Sequence, residues 1–122
     1  MSWMRKGLAV VAGGVTAGCV IALTEMLAHG RTADDGPFIG AIVGYALGAM
    51  VGTAVASAIA SGPVARLVPA LLGVLALINV LSFPHPIWFI PAAAAALIVG
   101  WLVGGRLAAI GKGRGTSADG RA

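Results

Sequence analysis

Glu25 is the only acidic residue within four long apolar stretches of this chain, and His29 follows it four positions later. A carboxylate inside a hydrocarbon layer is costly and by default marks a functional site, so Glu25 is the first candidate for chemistry. The i, i+4 spacing puts Glu25 and His29 on one face of a helix. Asn79 and Ser82 stand near the end of the third stretch, His85 in the turn after it, and Thr24 beside Glu25. Tyr45 lies deeper, about two helical turns into the second stretch.

Three chemistries fit this set. In the first, Glu25 is a proton, cation or small-ligand site, with His29, Asn79, His85 and Tyr45 around it. A dry environment favours the protonated carboxyl, and water or a nearby cation favours the ionised one. In the second, Glu25, His29 and His85 hold a metal such as zinc or copper, because two ligands one helical turn apart and a third from a neighbouring turn make a workable open site. No CxxC, HExxH or methionine-rich run accompanies them. In the third, the group is a structural polar layer: Glu25 hydrogen-bonds Asn79, Thr24 or a helix end, and the histidines are interfacial residues.

The elements that position these residues follow from apolarity. Of 122 residues, 59% are hydrophobic and 10% charged, and the mean hydropathy is +0.99. A soluble domain of this size needs far more surface charge. Apolar runs over 7–28, 37–60, 66–83 and 87–105 are each long enough to cross a layer of about 30 Å as a helix. In lipid the backbone must satisfy its own hydrogen bonds, so these runs predict helices. Their short links, at 30–36, 61–65 and around Pro84-His85-Pro86, predict an all-α, up-down four-helix integral membrane bundle. Residues 1–110 read as one transmembrane domain, and 111–122, rich in Gly, Ser and charge, as a disordered cytoplasmic tail. Pro37, Pro69 and Pro91 fall in first turns, where a missing N–H is harmless.

Basic residues orient the chain. Arg5, Lys6, Arg66, Arg106, Lys112, Arg114 and Arg121 fall on one side and only Arg31 on the other, which predicts cytoplasmic N- and C-termini. Asp34 and Asp35 then lie in the outer loop, and Trp3, Phe38 and Trp88 near the interfaces. The net charge of +4 is therefore topological and gives no reason to expect a nucleic-acid partner. The lone Cys19 excludes an internal disulfide. Thr16-Ala17-Gly18-Cys19 loosely matches a lipoprotein cleavage box, yet Val20-Ile21-Ala22-Leu23 continues the apolar run, which reads as an uncleaved span. Gly111-Lys112-Gly113 lacks the glycine spacing and the Ser or Thr of a phosphate-binding loop. No catalytic constellation is recognisable, and no cofactor is expected.

Gly40, Gly44, Gly48 and Gly52, followed by Ala56 and Ala60, form a ladder of spacing four on the second stretch. Gly14 and Gly18, and Gly100 and Gly104, repeat it more briefly. Such faces let helix backbones approach closely in lipid. The ladder reads either as a seam between subunits or as a contact inside the bundle, most simply between the first and second spans.

The segment Leu23-Thr24-Glu25-Met26-Leu27-Ala28-His29 and the run from Asn79 through Pro84-His85-Pro86-Ile87-Trp88 resemble a family of small bacterial four-helix membrane proteins that are uncharacterised. The resemblance implies this fold and the bacterial inner membrane, singles out Glu25, His29, Asn79, His85 and Trp88, and implies no activity. Small multidrug transporters also carry an acid in their first span, but theirs sits mid-helix among aromatics. The expectation is a small non-enzymatic membrane protein acting as an oligomer or accessory subunit, docked on itself or another membrane protein through the glycine face. The alternative is a proton- or cation-coupled carrier or channel that uses Glu25.

Overall fold

Glycine and alanine recur where helices must touch, and that recurrence sets the packing. The computed structural model describes residues 2–28, 36–60 and 63–120. Among these the chain is all-helical: α1 (Trp3–Ala28), α2 (Gly36–Ile59), a 3-10 turn (Pro63–Arg66), α3 (Leu67–Ser82) and α4 (Phe89–Gly120). Each of the four helical segments is long and apolar enough to cross a membrane. Their outward faces carry Leu, Ile and Val, as a lipid-facing surface requires. The core by contrast is built from small side chains, with Ala9, Ala17, Ala49 and Ala56 fully buried.

The centre is α2, against which α1 and α4 both pack closely, whereas α3 touches its neighbours sparingly. α1 and α2 cross in opposite directions, with Gly13 against Gly52 and Ala28 against Gly40. α4 runs along α2 in the same direction, Gly100 on the carbonyl of Ala46 and Gly104 on that of Met50. Each contact needs a position without a Cβ, which is why glycine stands there.

Within this chain the ladder faces α1. Gly40, Gly44, Gly48 and Gly52 are all buried, and they face Ala28, Thr24, Ile21 and Ala17 of α1. The face expected to dock a partner is covered by the chain's own first helix. Dispersion between α1 and α2 claims it, and a partner helix cannot approach it without displacing α1.

α3 stops where proline requires it. Pro84 and Pro86 each push the residue before them towards extended backbone. Phe83 accordingly adopts φ −132° and ψ 147°, while its N–H still bonds the carbonyl of Asn79. The N–H of Phe89 bonds the carbonyl of Pro86, closing the turn that opens α4. α4 then differs from expectation at its far end, being helical over 111–120 where composition predicts a disordered tail. No proline follows Pro91, and extending a helix already formed avoids the cost of nucleating one.

Candidate functional site

The prolines that end α3 also place His85 back over the bundle. Its Nδ1 lies 2.7 Å from the carbonyl oxygen of Phe83, and its ring lies 4.6 Å from that of Phe89, tilted by 36°. Phe89 is fully buried and holds Phe38, Tyr45 and Trp88 edge-on at 6.0, 6.2 and 6.4 Å between ring centres. The result is an aromatic cap across one end of α2 and α4, with His85 in it.

Beneath this cap, Glu25 on α1 and Asn79 on α3 both line two cavities. One, of about 210 Å³, is completed by Phe38, Ala41, Phe83, Pro84 and His85. The other, of about 330 Å³, reaches deeper beside Tyr45 and is otherwise apolar, running between Gly14, Gly18 and Ala22 of α1 and Leu72, Leu75 and Ala76 of α3. Together they form a groove between α1 and α3 with α2 as its floor. It exists because α3 stands off from α1 and because Gly14 and Gly18 have no side chains to fill it. A Cβ at either glycine would meet nothing within 4 Å.

Tyr45 is buried, and its hydroxyl accepts a hydrogen bond of 3.4 Å from Nδ2 of Asn79. Among the described residues no partner accepts from the Tyr45 O–H or donates to the Asn79 Oδ1. Thr24 does not support Glu25 as the structural reading expects, because its hydroxyl donates instead to the carbonyl of Val20, 2.7 Å away. Asn79 likewise spends its amide on Tyr45. Among the described residues, Glu25 has neither a hydrogen-bond partner nor an ion pair. The cations Arg5 and Arg66 lie at the other end of the bundle, where the Arg5 Nε–H donates to the carbonyl of Ile59.

Four of the five residues singled out in the sequence therefore meet: Glu25, Asn79 and His85 around the first cavity, and Tyr45 beside the first two in the second. His29, the fifth, lies outside the described residues. So does the complete metal set, which needs His29 with Glu25 and His85; among the described residues no three His, Cys, Asp or Glu side chains cluster. Sequence reasoning missed the aromatic cap. Its signal was Phe38 and Phe89, each at the start of a span on the side where His85 returns, but an aromatic at a span end reads first as an interfacial anchor.

Chemically, Glu25 gives the groove one carboxyl group without a partner among the described residues. Asn79 lines both cavities with Glu25, and Phe38 and Phe83 line the first of them. The chain matches no protein-family model, no curated protein and no solved structure.

Proposed function

We propose that this chain is a small multi-pass carrier of the bacterial inner membrane, with both termini cytoplasmic, that exchanges a proton for a small cation at Glu25. One observation supports it above the others. Glu25 stands in a groove without a partner among the described residues, and among these no partner accepts from the Tyr45 O–H or donates to the Asn79 Oδ1. A purely structural carboxylate at membrane depth would be expected to have its partners in place. Loading then consists of carboxyl deprotonation and cation entry between Asn79 and Tyr45, with His85 and the aromatic cap at the mouth. Unloading is the reverse, on reprotonation.

The test is a flux measurement in proteoliposomes loaded with a pH-sensitive dye. Outward gradients of sodium, potassium or tetramethylammonium are imposed in turn, and the expected result is proton movement with at least one of them. Glu25→Gln is expected to remove that movement while the protein still inserts and keeps its helix content. Equal movement in wild type and Glu25→Gln, or none with any of the three ions, overturns the reading.

A second reading, a subunit of a larger assembly, keeps one specific support. Gly14 and Gly18 form a small-xxx-small pair on α1 that no helix of this chain covers. A partner helix seated there would occupy the same groove. Native mass spectrometry of the gently extracted protein separates the two: a heteromer or dimer lost in the Gly14→Leu, Gly18→Leu double variant favours the subunit, and an unchanged monomer favours the carrier.

A further inference from the structure

At the end of the bundle away from Glu25, two arginines converge on a crevice of about 340 Å³ between α2, the 3-10 turn and α4. Arg66 comes from the turn and Arg106 from α4, and both are exposed. Neither hydrogen-bonds or ion-pairs with a described residue. Trp101 forms one wall. Gly105, a helical turn further along α4, leaves room, since a Cβ there would meet nothing within 4 Å. The depth of the crevice is lined by Thr53 and, one turn along α2, Ser57.

Thr53 supplies the second, independent observation. It is 1% exposed, and its hydroxyl oxygen is buried without any hydrogen-bond partner. The two threonines of α1 behave differently: Thr16 and Thr24 turn their hydroxyls back to the carbonyls of Ala12 and Val20, each at 2.7 Å. Buried hydroxyls are normally satisfied, so the partnerless Thr53 hydroxyl, sealed just behind the crevice wall, is an exception among the described side chains.

We propose that this crevice binds the phosphate group of an anionic phospholipid. Two guanidinium groups are suited to a single phosphate, because each presents paired N–H donors to its oxygens. Ser57 adds a neutral donor beside them. Trp101 places an amphipathic ring at headgroup level, and the acyl chains continue along the Leu and Val surface of α4. Basic pockets between membrane helices recognise lipid headgroups by this combination of charge and shape. The site is independent of Glu25 and of any transport.

Native mass spectrometry of the full chain in mild detergent tests it, with added phosphatidylglycerol, phosphatidylcholine of the same acyl chains, or inorganic phosphate. Wild type is expected to retain one phosphatidylglycerol and to bind phosphatidylcholine and free phosphate at least tenfold more weakly. Arg66→Gln with Arg106→Gln is expected to lose roughly 30-fold in phosphatidylglycerol affinity, from about one charge-pair contribution per arginine. Lys6→Gln with Lys112→Gln removes the same net charge from residues that do not line the crevice and is expected to lose less than about threefold. An equal loss in the two double variants overturns the proposal, as does equal retention of the two lipids. Saturation by inorganic phosphate alone overturns the assignment to lipid. Should the arginine variant fail to fold, the competition between the two lipids on the wild-type chain decides.

Discussion

Gly13 and Gly52 meet backbone to backbone: a Cβ built on Gly13 would stand 2.7 Å from the carbonyl oxygen of Gly52, and one on Gly52 would stand 2.7 Å from that of Gly13. The crossing of α1 and α2 is therefore set by two positions that tolerate no side chain, and Val68 of α3 closes over both. The next residue on the same helix, Gly14, points about 100° round the axis and faces open space. Neighbouring glycines in one helix thus have opposite roles, one making the contact and the other making the groove.

Gly13→Ala should destabilise the protein by about 1–3 kcal/mol, the usual cost of overpacking a closed contact. Gly14→Ala should be neutral or stabilising, because alanine is the better helix former by roughly 0.5–1 kcal/mol and meets no obstacle. Thermal unfolding of both variants in one detergent checks the pair. Equal melting temperatures would show that the α1–α2 crossing is not as close as described.

The Tyr45–Asn79 bond is long at 3.4 Å, and its expected strength is small. A double-mutant cycle of Tyr45→Phe and Asn79→Ala should give a coupling of about 0.6 kcal/mol, typical of side-chain bonds between membrane helices. Flux through the groove should fall more in Asn79→Ala than in Tyr45→Phe, because the amide oxygen is the cation ligand in the proposed site. Unchanged flux in Asn79→Ala would remove Asn79 from that site.

Phe89 joins the aromatic cap to α2 and carries the ring against which His85 rests. Phe89→Ala should cost about 3–5 kcal/mol, as for other fully buried aromatics. Phe89→Leu, which keeps most of the volume, should cost less than half as much. A loss in Phe89→Ala no larger than that in Trp88→Ala, where the ring is part exposed, would contradict the central place given to Phe89.

Thr53→Val exchanges a buried hydroxyl without a partner for a methyl group of similar size. In zwitterionic lipid it should stabilise the fold by about 1 kcal/mol, since an unsatisfied buried group is removed. In phosphatidylglycerol the gain should be the same, because the hydroxyl oxygen is sealed from the crevice. A loss of stability in both lipids would point to a protein partner for the hydroxyl.

Much of this architecture is legible in the residues. Four apolar runs separated by Pro, Gly and charge leave helices as the only spanning structure, and the boundaries differ from the observed ones by a few residues, except for α4, which runs on to Gly120. The depths of Glu25, Asn79 and His85 along the spans put them at one end of the bundle with Tyr45 deeper, and Glu25 and Asn79 line one cavity with His85 and another with Tyr45. The partner of the glycine ladder was not readable, because a period of four marks a face without saying which helix meets it. Nor was the crevice at Arg66 and Arg106 readable, since charges at helix ends look alike until the backbone brings two together around a threonine. The helical stretch of 111–120 escaped composition for the opposite reason: poor helix formers can extend a helix they could not start.

The most direct test of the carrier is chemical labelling of Glu25 with a hydrophobic carbodiimide, read by intact mass in lipid nanodiscs. The reagent attacks protonated carboxyls in apolar surroundings, and Glu25 is the only acid within the apolar helical spans. One adduct is predicted, absent in Glu25→Gln, with labelling slowed severalfold by whichever of sodium, potassium or tetramethylammonium drives proton movement. An adduct at Glu25 whose rate none of the three ions changes would contradict exchange of a proton for a cation at that carboxyl.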